Sequence, residues 1–212
     1  MTPADHQDYK ALVRRGYDAC AAAYEAARRS ESAPELDLLL PYLARRAAVL
    51  DIGCGAGVPV AKVLARTCWV TGVDISPEQI RRARQNVPSG AFLVADIMGV
   101  DFPSGSYDAV VSFYAIFHLP RAEHPELFRR IRRWLKPGGY FLGTLAAQAE
   151  ENTLDEDFFG TQMYWSNFGL DEYRSILEKA GFELLAVQTL GHGYSDDAAP
   201  AESHPLILAK SH

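Results

Sequence analysis

Short apolar runs bounded by glycine, proline and acidic residues alternate along this chain with longer stretches whose apolar positions recur every three or four residues. Strands and helices therefore take turns. Val49, Leu50 and Ile52 read as the end of a buried strand, and Val58–Arg66 as a helix with Pro59 in its first turn, where a missing N–H costs nothing. Cys68–Asp74, Ala91–Ala95, Asp108–Phe113 and Tyr140–Leu145 read as further strands, with Phe182–Leu190 and Leu206–Ala209 as a closing pair. The nearly all-apolar Asp108–Phe113 has the character of a central parallel strand. Ser76 and Gln79 predict a capping box that opens a helix running to Asn86. Arg121–Leu135 reads as a helix closed by K-P-G-G, and Asp171–Ala180 as one stopped by Gly181. Residues 97–107 are too short and too rich in Gly, Pro and Ser for a long helix, so one crossover is expected to shrink to a turn. Upstream, Tyr9, Leu12, Val13, Tyr17, Cys20 and Tyr24 share one face of a helix predicted over Asp5–Ser30, and Pro34–Arg46 predicts a second helix.

The chemistry concentrates at V-L-D-I-G-C-G-A-G, residues 49–57. Strand, glycine turn and helix predict a cradle of backbone N–H groups for a polar or anionic ligand. A dinucleotide fingerprint would space its glycines G-x-G-x-x-G. Here the spacing is G-x-G-x-G, and Asp51 would repel a phosphate and attract a cation. A ligand with an ammonium, a carboxylate and a ribose fits better. Asp74, at the tip of the second strand, is placed to accept both hydroxyls of that ribose; a plain turn residue is the alternative.

At these residues the chain resembles the class I S-adenosylmethionine-dependent methyltransferases. The resemblance continues through G-V-D-I-S at Asp74, the strand end at Asp96 and the K-P-G-G turn. It implies an α/β fold: a doubly wound, Rossmann-like seven-stranded sheet with its last strand antiparallel, and an N-terminal helical lid. Residues 1–46 would form the lid and 47–212 the core, with 146–170 as a substrate-side insertion. It implies S-adenosyl-L-methionine as cofactor and S-adenosyl-L-homocysteine as product, with no metal. Tyr24, Asp51, Gly53, Cys54, Gly55, Gly57, Asp74, Ile75, Asp96, Ile97 and Phe113 would bind the cofactor, Asp96 through the adenine amino group. An Asx-type turn at Asp96 is the plainer alternative. The D/N-P-P-Y/F motif of enzymes that methylate nucleobase or glutamine amino groups is absent, which weighs against those acceptors.

S-F-Y-A-I-F-H-L-P carries His118 to the expected pocket mouth, as a general base or as a residue that shapes the entry to the next helix. His192 in the stretch 191–204 is a further candidate base, with Tyr194 beside it. Tyr17, His118, Tyr164 and Trp165 are expected to contact a small, partly aromatic or hydrophobic acceptor. The sequence leaves open whether the acceptor atom is O, N, S or C. A nicotinamide oxidoreductase, a cofactor-binding module without turnover, and a methyltransferase acting on RNA or protein are the alternatives.

Net charge narrows the partners. At −6 the chain lacks the basic face that phosphate-held partners need, and Arg129, Arg130, Arg132 and Arg133 read as the solvated face of a helix. Cys20, Cys54 and Cys68 suggest neither disulfides nor a zinc site. With no apolar run of roughly 18 residues and no apolar leader, the expected setting is cytoplasmic, away from membranes. A monomer or homodimer with a small-molecule substrate and no nucleic acid completes the expectation.

Overall fold

The computed structural model describes residues 3–28, 32–190 and 204–212. Seven strands form one sheet: β1 (Ala48–Ile52), β2 (Trp69–Asp74), β3 (Ala91–Val94), β4 (Tyr107–Ser112), β5 (Leu135–Thr144), β8 (Phe182–Leu190) and β9 (His204–Ser211). Their order is β3-β2-β1-β4-β5-β9-β8. All pairings from β3 through β5 are parallel, and β9 runs antiparallel between β5 and β8. This is the doubly wound sheet expected from the sequence.

Strand periodicity accounts for the two-sided core. Val49, Ala109, Val111, Leu142 and Leu208 pack on one face, and Leu50, Ile52, Val110, Phe141 and Ile207 on the other. The first face is covered by α2 (Val60–Leu64), α3 (Pro77–Asn86) and the 3₁₀ turns Pro34–Leu38 and Leu40–Tyr42. The second is covered by α4 (His124–Trp134) and α5 (Leu170–Lys179).

Several elements differ from expectation, each for a local reason. The helix predicted over Pro34–Arg46 is only two 3₁₀ turns, because Pro41 removes an N–H and its ring crowds the preceding turn. The helix predicted over Val58–Arg66 is the five-residue α2, with Pro59 just ahead of it. The helix predicted from Arg121 begins at His124 after a separate turn at Arg121–Glu123, since Pro125 fits only a first turn. K-P-G-G lies inside β5, whose register shifts between Tyr107 and Ala109, with Gly138 at φ +75°. Half of the capping box forms. The Gln79 N–H donates to Ser76 Oγ at 3.1 Å, but the Ser76 N–H is taken by the Asp74 carboxylate at 2.9 Å, a stronger acceptor than an amide. The arginines do not all stay in solvent either: Arg129 and Arg133 do, whereas Arg130 holds the carbonyls of Met98 and Val100.

Residues 146–170 contain a hairpin, β6 (Glu150–Phe158) and β7 (Thr161–Asn167). Phe159 and Gly160, both at positive φ, make its two-residue turn. The hairpin packs against α1 (Pro3–Arg28) around Val13, Cys20, Phe158, Met163 and Tyr164, a small core separate from the sheet. The helix comes close enough to the hairpin that a Cβ on Gly16 would lie 2.9 Å from the Met163 methyl.

Candidate active site

The glycine loop leaves β1 with Gly53, Gly55 and Gly57 at φ +68°, +52° and +76°. Two reasons require glycine at 53: the left-handed backbone, and a Cβ that would sit 2.2 Å from that of Ala115. At Gly57 a Cβ would press on Ala83 and Val87, so that residue packs the loop on α3. Four of the loop N–H groups expected to form a cradle are bonded within the protein. Those of Gly53 and Cys54 donate to the Val73 carbonyl at 2.8 and 3.1 Å, that of Gly55 to Asp74 at 2.9 Å, and that of Gly57 to the Cys54 carbonyl at 2.9 Å. A ligand's polar ends must therefore be met mainly by side chains.

Those side chains line two adjoining cavities above the carboxyl ends of the strands, where an open parallel sheet binds its ligands. The larger, about 700 Å³ with its open mouth, is walled by Tyr17, Tyr24, Gly53, Gly55, Asp74, Ile75, Asp96, Ile97, Phe113 and His118 among others. The smaller, about 410 Å³ counted in the same way, shares Tyr24, Gly53, Gly55 and Phe113 with it and adds Asp51 and Cys54. The fold thus gathers most of the expected ligand residues. Gly57, Tyr164 and Trp165 line neither cavity, and His192 lies outside the described residues, as does Tyr194.

Three carboxylates follow one another along this surface. Asp51 is 2 % exposed, and its Oδ2 has no hydrogen-bond partner. Burial, with help from the charge of Asp74, pushes its pKa up to about 8. Asp74 accepts the N–H groups of Ser76 and Gly55, one on each oxygen, at 2.9 Å. Burial nevertheless outweighs those bonds and lifts it to about 6. Each Asp74 oxygen keeps a lone pair for a further donor. Asp96 makes an Asx-type turn with the Met98 N–H at 2.9 Å while also facing the cavity, so the two readings of this residue coexist. Its other oxygen pairs with Lys10 at 2.9 Å, and Lys10 reaches Glu123 at 2.7 Å. Burial works against the Lys10 ammonium, but its bonds to Glu123 and Asp96 outweigh that and raise its pKa.

His118 is 6 % exposed and lies between two partners. Nδ1 is 2.8 Å from the Tyr164 carbonyl oxygen, and Nε2 is 2.8 Å from the Tyr17 hydroxyl. Burial lowers its pKa to about 4 against the raising effect of that carbonyl, so the ring is neutral at pH 7. Trp165 packs on the ring at 4.4 Å between centroids, and Tyr164 stacks on Tyr9 at 4.1 Å. The hairpin aromatics thus reach the cavity through His118.

Sequence reasoning missed Lys10, Asp18, Glu25, Arg28 and Tyr114. Lys10 and Tyr114 line the larger cavity, Glu25 and Arg28 the smaller, and the Arg28 guanidinium lies 4.4 Å from the centre of the Tyr114 ring. The available signal was spacing: Lys10, Asp18 and Glu25 recur at eight and seven residues, a polar stripe beside the aromatic one on α1. Among the described residues no three His, Cys, Asp or Glu side chains are grouped as metal ligands, and no helix is long and apolar enough to cross a membrane.

Comparison with known proteins gives the family and the fold. Residues 49–139 match the family described as a methyltransferase domain. The 27-O-demethylrifamycin SV methyltransferase of Amycolatopsis mediterranei is 32 % identical over 75 % of this chain and 63 % of its own length. Methyltransferase GfsG of Streptomyces halstedii is 31 % identical over 65 % of this chain and 53 % of its own length. The chain therefore spans between about half and two thirds of these relatives. In fold it is similar to the 1,6-didemethyltoxoflavin-N1-methyltransferase of Burkholderia thailandensis, solved with S-adenosylhomocysteine. The TM-score is 0.72 at 21 % identity, covering 97 % of this chain and 90 % of that one.

Proposed function

The chain belongs by sequence and fold to the class I S-adenosylmethionine-dependent methyltransferases, and from that premise we propose that it methylates a small, partly aromatic or hydrophobic molecule. S-adenosyl-L-methionine is the donor and S-adenosyl-L-homocysteine the product. The observation that carries this reading is the succession Asp51, Asp74, Asp96, one from each of the ends of β1, β2 and β3, along two joined cavities. A ligand offering an ammonium, a ribose diol and an amino-bearing base has a donor for each carboxylate, whereas a pyrophosphate would be repelled. The orphaned Oδ2 of Asp51 fits such a ligand.

In this reading Asp51 and Glu25 face the ammonium and Arg28 the carboxylate of the amino-acid end. Asp74 takes the ribose hydroxyls, Asp96 the adenine amino group, and Ile75 and Ile97 flank the base. A bound sulfonium supplies its own electrophilic methyl, so no metal is needed. The protein has to hold the acceptor in line and keep water out. α1 does the latter, closing the apolar side of the larger cavity with Val13, Tyr17 and Tyr24, and the β6–β7 hairpin backs it from behind. A small-molecule partner, a cytoplasmic setting and a monomer or homodimer complete the proposal; the net charge of −6 supports the absence of a nucleic-acid partner.

Calorimetry tests it. S-adenosylmethionine and S-adenosylhomocysteine should bind and NAD should not, and Asp74→Ala should abolish the heat. No heat with either adenosyl ligand would sink the reading. Tight binding with no product from any acceptor would leave a binding module instead.

A further inference from the structure

α1 lies along the three acids rather than across them. Lys10 pairs with Asp96, Asp18 accepts the hydroxyl of Ser76 two residues beyond Asp74, and Glu25 and Arg28 line the cavity that holds Asp51. Lys10, Val13, Tyr17 and Tyr24, at steps of three, four and seven residues, are the stripe of this helix that lines the larger cavity. Lys10 is the charged end of that stripe. Asp18, which also fastens α1 to the sheet, lines neither cavity.

An ammonium carries three donors. Two of those on Lys10 go to carboxylates, Asp96 Oδ2 at 2.9 Å and Glu123 Oε2 at 2.7 Å. Because the residue lines the cavity, a ligand there can take the third. Asp96 is itself fixed, since its Oδ1 accepts the Met98 N–H at 2.9 Å. An anchored carboxylate and an ammonium 2.9 Å from it therefore set an acceptor and a donor side by side beyond the end of β3. A primary amide presents the same couple when it holds the amino group of adenine together with the ring nitrogen next to it.

We propose that Lys10 reads the purine: Asp96 accepts from the exocyclic amino group, and Lys10 donates to a ring nitrogen beside that group. The proposal rests on the adenosyl-ligand reading above and adds to it a residue of α1 that determines specificity for the base. It makes α1 part of the nucleoside subsite as well as its cover. A purely mechanical Lys10, tying α1 to the turns that follow β3 and precede α4, would behave differently. Losing it would loosen α1 and weaken every adenosyl ligand by the same factor, whatever atoms the base carries.

The test uses calorimetry on the full chain with S-adenosylhomocysteine and its 7-deaza and 1-deaza analogues, each of which replaces one ring nitrogen beside the amino group by C–H. One of the two analogues should bind at least about fivefold more weakly than S-adenosylhomocysteine, because it leaves a charged donor without its acceptor. In Lys10→Met, S-adenosylhomocysteine itself should bind more weakly and that analogue should match it within about twofold. Glu123→Gln keeps the ammonium while weakening its tie to the turn before α4, and should keep the discrimination. Equal binding of all three ligands to the unaltered chain overturns the proposal without any variant. A discrimination that survives in Lys10→Met, or a loss there by one common factor for all three ligands, overturns it as well. Failure of S-adenosylhomocysteine to bind the unaltered chain would overturn the underlying reading instead.

Discussion

Asp51 concentrates the electrostatics of this site in one side chain. Buried, without a partner on Oδ2 and beside a second carboxylate, it is held protonated up to about pH 8. Its folded-state pKa lies above the ordinary value near 4, so its contribution to stability is complete below about pH 4 and is lost as the pH rises through about 8. Asp51→Asn should therefore flatten the decline of the melting temperature between those limits. The same linkage acts on binding: a ligand ammonium that needs the ionised carboxylate displaces its proton. Calorimetry at pH 7 in buffers of different ionisation enthalpy should detect proton release with S-adenosylmethionine, and Asp51→Asn should reduce it. Gly53 makes a steric counterpart. Gly53→Ala combines a left-handed backbone with a Cβ 2.2 Å from that of Ala115, so a loss of roughly 1–3 kcal/mol in urea unfolding and a weaker adenosyl-ligand affinity are expected.

Among the elements, α1 is fastened to the loops that follow the ligand-bearing strands. Asp18 accepts the Ser76 hydroxyl at 2.6 Å and the Glu78 N–H at 3.3 Å, and so caps α3. Glu25 pairs with Arg82 at 2.7 Å and with the Asn86 amide at 2.9 Å, and Asn86 also donates to the Ala56 carbonyl of the glycine loop. Lys10 bridges Asp96 and Glu123. Each of the three loops is thus tied to α1. Asp18→Ala should cost about 1 kcal/mol, read as a melting temperature roughly 2–4 °C lower, with faster amide exchange in α1 and the first turn of α3. The hairpin is separable in a different sense. Its ends are side by side, with Glu150 paired to Asn167 and the Leu170 N–H on the Ala147 carbonyl, and its core excludes the sheet. Replacing residues 150–167 by a short Gly/Ser linker should leave the circular-dichroism signature of the sheet in place and adenosyl-ligand binding within about tenfold, while acceptor turnover falls by roughly 10²-fold or more because His118 loses its anchor.

At the scale of the whole molecule, the cavities are lined by three strand ends and α1 at once, so a ligand seated as proposed would report on all of them. Adenosyl ligand at one hundred times its Kd should raise stability by about 2.7 kcal/mol, and the melting temperature by roughly 5–10 °C for a chain of this size. Differential scanning fluorimetry across a ligand titration checks this, and an unchanged melting point would contradict it. The strands and the acids at their ends were legible in the sequence, because each rests on local constraints: near-continuous apolar runs in β1 and β4, glycines at positive φ, and a carboxylate where a strand stops; the arrangement of the sheet came from the resemblance. Several features were not legible. Pro41 broke a helix that the apolar spacing supported, the Asp74 carboxylate outcompeted Gln79 for the Ser76 N–H, and the N–H groups of Gly53, Cys54 and Gly55 were taken by the Val73 carbonyl and Asp74. The tautomer of His118 depends on Tyr164, 46 residues away, and its bond to Tyr17 spans 101. By itself, then, the sequence determined the strands, the glycine bend and the acids at the strand ends, since backbone sterics and burial patterns act over a few residues. Only the tertiary structure decided which groups line the cavities and which ring nitrogen of His118 carries the proton, since those depend on contacts between segments whose own sequences place no limit on one another.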